Sequence, residues 1–187
     1  MSPQRSNRAQ LVEGTLRCLE RLPPERITAR AIAEESAANL ASITYHFGSK
    51  DALVTAAVIE GLDRWLDEIA GALQGVDPEQ PGERFRRAFV AVEGSRQRHL
   101  GLARTLVAAL ARAQHDAQVR EMLAEGFRRS RRDVATVLGL GTDQAGLDAA
   151  GLALAQFNGL LFQTLLDPDL AVPLSRWELA QARLRPQ

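Results

Sequence analysis

The chain has 187 residues, of which 45% are hydrophobic and 25% charged, and this composition excludes disorder throughout. The 23 basic and 23 acidic side chains cancel, so the chain as a whole lacks a basic excess that would indicate a nucleic-acid partner. One cysteine, Cys18, excludes an intrachain disulfide and a zinc site built on cysteines.

The N-terminal residues and one apolar stretch bear on the compartment. The sequence is polar through Gln10 and shows no signal peptide, so we expect a cytoplasmic protein. Residues 149–166 carry no charge over 18 positions, which is near the lower length limit of a membrane span. Because Gln156, Asn158 and Gln163 interrupt the stretch, a helix at a subunit interface is favoured over a transmembrane helix.

Apolar residues recur at helical spacing along the whole chain and predict an all-α fold of about nine helices. The first helix ends at Pro23-Pro24. Thr28 can cap a short second helix, and Asn39 can cap a short third helix that buries Ile43. Phe47 can fill the core of these three helices, and Ser49 can cap a long fourth helix that ends before residue 75.

The remaining sequence predicts five further helices. Apolar positions mark them at 85–92, 102–110, 119–138 and 147–165, and the last helix opens near Ser175. Three short helices therefore precede six longer ones. The three-helix segment of about 45 residues is small enough to be only marginally stable alone, and it would need the fourth helix to pack against.

Residues 27–53 read ITARAIAEESAANLASITYHFGSKDAL and have the pattern helix, tight turn, helix, and then the start of another helix. This pattern matches the helix-turn-helix, in which the second helix lies in the major groove. The second helix, about Asn39–Tyr45, exposes small and hydroxyl-bearing side chains that suit base edges and phosphates. Lys50, in the first turn of the fourth helix, would face a DNA phosphate, which the helix dipole also attracts.

This segment resembles the TetR family of transcriptional regulators. The resemblance is carried by Ile32-Ala33-Glu34, Ile43, Tyr45-His46-Phe47-Gly48-Ser49-Lys50 and Leu53. It implies a homodimeric, ligand-responsive DNA-binding protein, usually a repressor that a small-molecule effector releases from a palindromic operator. The chain departs from the family at Ala37, where glycine is frequent in the turn, and at Thr44, which takes a position that is often aromatic.

The resemblance also implies a division of labour along the chain. Residues 1–49 would form a three-helix helix-turn-helix DNA-binding domain. Residues 50–187 would form a larger helical ligand-binding and dimerisation domain, with residues 50–73 as the connecting helix. The predicted DNA-binding residues are Thr28, Arg30, Asn39, Leu40, Ala41, Ser42, Thr44, Tyr45, His46 and Lys50.

Two further sets of residues are predicted in the larger domain. Aromatic side chains on its helices are candidates for an effector pocket, although core packing is favoured for any single one of them: Trp65, Phe85, Phe89, Phe127, Phe157 and Phe162. No cluster of charges converges on them in the sequence, which favours a neutral or largely apolar effector. The apolar stripe of the eighth helix, with the last helix, predicts the dimer interface: Leu154, Phe157, Leu161, Leu165 and Trp177.

The alternative function is a helical interaction scaffold or an enzyme with a fragment that resembles a helix-turn-helix. An enzyme would need convergent acids, bases or metal ligands, but His46, His99 and His115 lie far apart and form no metal-binding motif. We therefore expect neither an enzyme nor a bound metal or cofactor. The four arginines Arg128, Arg129, Arg131 and Arg132 are interpreted first as a solvated face, and otherwise as partners of acids on a neighbouring helix or of an acidic ligand.

Overall fold

The computed structural model describes residues 6–184, apart from the side chains of Leu174 and Glu178. This part of the chain contains nine α-helices, three short 3-10 turns and no strand, so the predicted all-α fold is confirmed. The helices are α1 (Asn7–Arg21), α2 (Ala29–Ser36), α3 (Leu40–Phe47), α4 (Lys50–Ala72), α5 (Pro81–Ser95), α6 (Leu100–Arg112), α7 (Ala117–Leu138), α8 (Gln144–Leu166) and α9 (Leu174–Leu184).

Residue contacts divide the chain into two compact units. The first unit runs to Glu68 and includes Gln97–Ser130, so it contains α1–α3, most of α4, α6 and more than half of α7. The second unit consists of Ile69–Arg96 and the chain from Arg131 onward. Helix α4 contributes residues to both units. The first unit is thus larger than the predicted 49-residue DNA-binding domain, and that domain boundary stays a prediction.

The core of the first unit depends on a close approach of α6 to α1. Leu11, Leu19 and Leu106 are almost completely buried in this core. Gly101, in the first turn of α6, lies against the backbone of α1, because a Cβ atom there would be 1.9 Å from the Leu19 carbonyl oxygen. A glycine is therefore required for α6 to pack at this distance from α1.

The second unit is fixed at one end by an arginine that hydrogen-bonds the backbone. The Arg84 guanidinium on α5 donates to the Val137 carbonyl at 2.8 Å and to the Val76 carbonyl at 2.7 Å. The Val137 carbonyl lies in the last turn of α7, where it has no partner within that helix, and the Val76 carbonyl lies in the loop after α4. Arg84 thus joins the end of α7 to the loop that follows α4.

Helix α8 is poorly covered by the rest of the chain. Leu152 is 70% exposed and Leu166 is 83% exposed, whereas Leu161 is buried. By length and composition alone α8 could cross a membrane, with a mean hydropathy of 1.3, and only 17% of its apolar window is buried in the single chain. A large apolar face of this helix therefore remains open to another surface.

Candidate nucleic-acid interface

Three side-chain caps fix the starts of α2, α3 and α4. The Thr28 hydroxyl accepts a hydrogen bond from the Ala31 amide at 3.1 Å, and the Asn39 side chain accepts one from the Ala41 amide at 2.9 Å. The Ser49 hydroxyl accepts one from the Ala52 amide at 3.0 Å. All three caps were predicted from residue type and position, and each satisfies an amide that lacks a partner within its helix.

The turn between α2 and α3 is a Schellman motif. Ala37 has φ 50° and ψ 35°, and the amides of Ala37 and Ala38 donate to the carbonyls of Glu34 and Ala33. Ala37 therefore has the left-handed conformation that glycine adopts most easily, at the position where glycine is frequent in the family. Because the motif closes α2 and directs the chain into α3, it determines the angle between the two helices.

Helix α2 is held to α1 by one close contact and one group of ions. A Cβ atom at Gly14 would lie 2.5 Å from the Cβ of Ser36, so α1 approaches the end of α2 very closely. The Glu35 carboxylate accepts hydrogen bonds from Arg17 at 2.7 Å and Arg21 at 3.1 Å. The pKa of Glu35 is below its ordinary value, mainly because of the hydrogen bond from Arg17. These contacts orient α2 and hence the turn.

The inner face of α3 belongs to the core of the first unit. Ile43 and Phe47 are buried, as predicted, and the Arg8 guanidinium lies over the Phe47 ring at 5.1 Å from its centroid. The Gln118 side chain of α7 donates to the Phe47 carbonyl at 3.3 Å. Helix α3 continues to Phe47, two residues beyond the predicted end, because Phe47 still faces the core and Gly48 caps the helix with φ 79°.

The outer face of α3 carries most of the predicted DNA-binding residues. Tyr45 is 85% exposed and Leu40 is 51% exposed. The Tyr45 ring also meets the half-buried His46 ring edge to face, with their centroids 4.8 Å apart. The other predicted residues before α4 are exposed or half-buried: Thr28, Arg30, Asn39, Ala41, Ser42 and Thr44. The structure thus brings these side chains together around one exposed helix, and their roles on DNA stay predictions.

Lys50 has partners that the sequence did not reveal. Its ammonium lies 2.6 Å from one oxygen of Asp51, and the other Asp51 oxygen lies 2.9 Å from Arg112 at the end of α6. Asp51 is visible in the sequence as an acid beside Lys50, but nothing there places Arg112, which is 61 positions further along, at the same carboxylate. The predicted phosphate contact is thus already within an ion network in the free protein.

The predicted pocket aromatics fall into the two units. Trp65 is buried in the first unit and stacks on His99 with ring centroids 4.5 Å apart, and Phe127 is half-buried in the same unit. In the second unit Trp177 packs on Phe85 and Phe89, with centroid distances of 6.2 and 4.7 Å. Phe157 and Phe162 are half-buried there. Core packing accounts for the contacts of Phe85 and Phe89, and the effector pocket stays a prediction.

The predicted interface residues differ in how far their own subunit already covers them. Leu161 is buried within the second unit, and the Trp177 ring packs against Phe85 and Phe89 of the same subunit. Leu154, Phe157 and Leu165 are half-buried. The most exposed apolar residues of the two helices were not predicted: Leu152, Leu166, Leu179 and Leu184.

Among the described residues no group of three or more His, Cys, Asp or Glu side chains could hold a metal ion. Cys18 is buried, and burial raises the pKa of its thiol. On α7, Arg129 pairs with Asp63 of α4 at 2.6 Å, which supports pairing with a neighbouring helix for this arginine.

The segment described above matches a family model. Residues 11–57 match the model of bacterial regulatory proteins of the tetR family, and this range includes every predicted DNA-binding residue. The prediction that the chain is a DNA-binding regulator and not an enzyme is confirmed by this match. A search of curated proteins finds no match.

Solved structures of regulators share the fold over most of the chain. The multidrug binding protein EbrR complexed with imidazole is 24% identical, with 100% of this chain and 97% of that chain covered and a TM-score of 0.66. A transcriptional regulator from Rhodococcus sp. Rha1 is 21% identical, with 87% and 86% covered and a TM-score of 0.63. A TetR transcription regulator from Haloarcula marismortui ATCC 43049 is 18% identical, with 87% and 88% covered and a TM-score of 0.62. At these identities the likeness shows the fold.

Proposed function

We propose that this member of the tetR family of bacterial regulatory proteins is a homodimeric, cytoplasmic repressor that a small-molecule effector releases from a palindromic operator. The observation that carries the proposal is the exposed outer face of α3, held in place by the buried Ile43 and Phe47 and by caps at both ends. An exposed short helix with this support is the form in which a helix-turn-helix presents side chains to the major groove.

The residues around α3 divide into two roles. Ser42 and Thr44 carry hydroxyl groups on the part of the helix that would face base edges, so we assign them to sequence discrimination. Tyr45 and Lys50 lie at the end of α3 and the start of α4, and we assign them to phosphates, which position the protein without specifying a sequence. Arg30 is exposed, forms no ion pair with any residue that the structure describes, and would contact a base or a phosphate.

The apolar surface of α8 and α9 supports a homodimer. Leu152, Leu166, Leu179 and Leu184 are each between 67% and 83% exposed in the single chain. Exposed apolar surface of this kind marks an interaction site, and pairing with the same helices of a second copy would cover it. A dimer would also place two copies of α3 on two half-sites of a palindrome.

The effector would bind among the aromatic side chains of the larger helices. The neighbour EbrR was solved with imidazole and is named a multidrug binding protein, which supports a small organic effector for this chain. Helix α4 extends from Lys50 into the second unit, so we propose that effector binding acts on DNA binding through this helix. Thermodynamic linkage then requires operator DNA to weaken effector binding by the same factor.

The DNA-binding proposal is tested with DNA selected by the protein itself. Selection from random duplexes should yield a palindromic site, and fluorescence anisotropy should show salt-dependent binding to it. The double change Tyr45→Ala and Lys50→Gln should weaken binding to selected and scrambled duplexes alike and reduce the salt slope by about 0.9 per subunit, because only Lys50 carries a charge that displaces counterions. Arg104→Gln is the matched control, because Arg104 is an exposed arginine on α6 outside the predicted set. Normal binding by the double variant would refute this docking.

The dimer proposal is tested by two leucine changes that should act on different properties. Leu152→Glu puts a charge on the exposed face of α8 and should give monomers in sedimentation velocity, because burying an unpaired charge costs several kcal/mol, on the order of 3–5. Leu40→Glu puts the same charge on α3 and should leave the dimer intact while DNA binding is lost. A normal dimer for Leu152→Glu would exclude this part of α8 from the interface.

A further inference from the structure

The carboxylate of Asp51 lies between two cations that come from different helices. One oxygen lies 2.6 Å from the Lys50 ammonium, and the other lies 2.9 Å from the Arg112 guanidinium. All three side chains line an open cleft of about 420 Å³ in the first unit. Each of them is partly exposed, so the network is accessible to the ions and the DNA that surround the protein.

The pairing of Lys50 with Asp51 is unusual for adjacent residues in a helix. Adjacent side chains on an α-helix point about 100° apart and do not normally face each other. Lys50 is the first residue of α4, so its long side chain can fold back across the start of the helix to reach Asp51. Arg112, the last residue of α6, holds the other side of the carboxylate from outside α4. The surroundings of the Lys50 ammonium therefore depend on α6.

We infer that Arg112 acts as a positioning residue for DNA binding: by sharing the charge of Asp51, it leaves the Lys50 ammonium available to a DNA phosphate. With Arg112 present, one negative charge is divided between two cations. Without Arg112 the carboxylate serves Lys50 alone, and a phosphate must compete with a complete ion pair. The inference rests on the phosphate contact of Lys50 proposed above.

The network predicts effects of opposite sign for changes at Arg112 and at Asp51. Arg112→Gln should weaken DNA binding about two- to fivefold per subunit, which is the range for an exposed ion pair. It should also lower the salt slope by up to about 0.9 per subunit, since Lys50 then releases fewer counterions. Asp51→Asn should strengthen binding, because it frees both cations. Arg112→Lys should retain normal binding, since the contact with Asp51 uses a single nitrogen and a charge is enough.

The decisive measurement is the effect of Arg112→Gln in the presence and absence of Asp51. If Arg112 acts through Asp51, Arg112→Gln should weaken binding in the natural protein and have little effect in the Asp51→Asn background. If Arg112 instead contacts DNA directly, the change should weaken binding equally in both backgrounds, and that result would overturn the inference. The probes are a duplex selected by the natural protein and a scrambled duplex of equal length, each titrated from 50 to 200 mM salt.

Control variants separate a failure of this inference from a failure of the proposed function. Arg104→Gln removes the same charge from the same helix at an exposed position and should show less than half the effect of Arg112→Gln. Equal effects of the two changes would overturn the inference while DNA binding stands. Lys50→Gln should weaken binding, and a normal affinity for it would overturn the inference through its premise. Absence of DNA binding by the natural protein would refute the proposed function itself.

Discussion

Ala37 is a position where a single substitution should stabilise the protein without changing any contact. It is the only non-glycine residue with positive φ in the part of the chain that the structure describes, and its side chain is exposed. The left-handed conformation costs a residue with a Cβ atom roughly 1–2 kcal/mol. Removing the methyl group should relieve this cost and should leave the Schellman hydrogen bonds of the turn in place.

The gain from Ala37→Gly is reduced by an effect on the unfolded chain. Glycine has more conformational freedom than alanine to lose on folding, which costs about 0.4–1 kcal/mol. Central values of the two effects leave a net stabilisation of about 0.8 kcal/mol. For a chain of this size that free energy corresponds to about 2–3 °C in melting temperature.

The matched control is the neighbouring alanine. Ala38 does not have positive φ, so Ala38→Gly should only lose the entropic advantage and destabilise the protein by about 0.4–1 kcal/mol. Urea unfolding followed by circular dichroism should therefore separate the two variants by about 1.5 kcal/mol, with Ala37→Gly the more stable. If Ala37→Gly is no more stable than Ala38→Gly, the turn does not have the conformation described here. DNA affinity should be unchanged in Ala37→Gly, because neither turn hydrogen bond involves the lost methyl group.

Three further predictions concern packing and charge elsewhere in the chain. Gly101→Ala should lower the free energy of unfolding by about 1–3 kcal/mol or more, because the added Cβ would meet the Leu19 carbonyl oxygen. Gly94→Ala, at an open helical position, should instead raise the free energy of unfolding by about 1 kcal/mol. Equal urea midpoints for the two variants would contradict this packing. Arg86 and Arg87 hold the pKa of Glu83 to about 2, compared with an ordinary value of 4.5, so this pair should contribute stability above pH 4.5 that is lost as the pH falls toward 2. Glu83→Gln should flatten that part of the pH–stability curve, and an NMR titration that gives an ordinary pKa for Glu83 would refute the pairing. Leu161→Ala should lower the free energy of unfolding by about 2–5 kcal/mol at any protein concentration, because Leu161 is buried within its own subunit. The effect of Leu152→Ala on the free energy of unfolding should depend on protein concentration if the exposed Leu152 lies in a dimer interface.

Local chemistry explains why the helix-turn-helix could be predicted so closely. The capping roles of Thr28, Asn39 and Ser49 depend on residue type and on a few neighbouring amides, and both are visible in the sequence. The burial of Ile43 and Phe47 follows from helical spacing within a single short segment. In each case the sequence signal lies within a few neighbouring residues, so a one-dimensional pattern contains the information.

The features that sequence reasoning missed depend on contacts that are distant along the chain. The apolar stripe of α8 does not reveal which leucines face the same subunit, and the predicted interface residue Leu161 is buried there while Leu152 is open. Nor does the sequence place Arg112 beside Asp51, since the approach of α6 to α4 determines that contact. Likewise, the helical spacing of the aromatic residues does not show that the Trp177 ring packs on Phe85 and Phe89.

The shortness of α3 links the stability of the first unit to its proposed function. A helix of eight residues is not stable alone in water, because its nucleation cost exceeds what so few hydrogen bonds recover. Helix α3 is ordered because Ile43 and Phe47 are buried and because Asn39 and Gly48 cap its ends. Substitutions that loosen these contacts would therefore reduce DNA affinity without touching DNA, since binding must then include the free energy of ordering the helix. In the same way, DNA that binds only the ordered form would stabilise the first unit in proportion to its concentration and affinity.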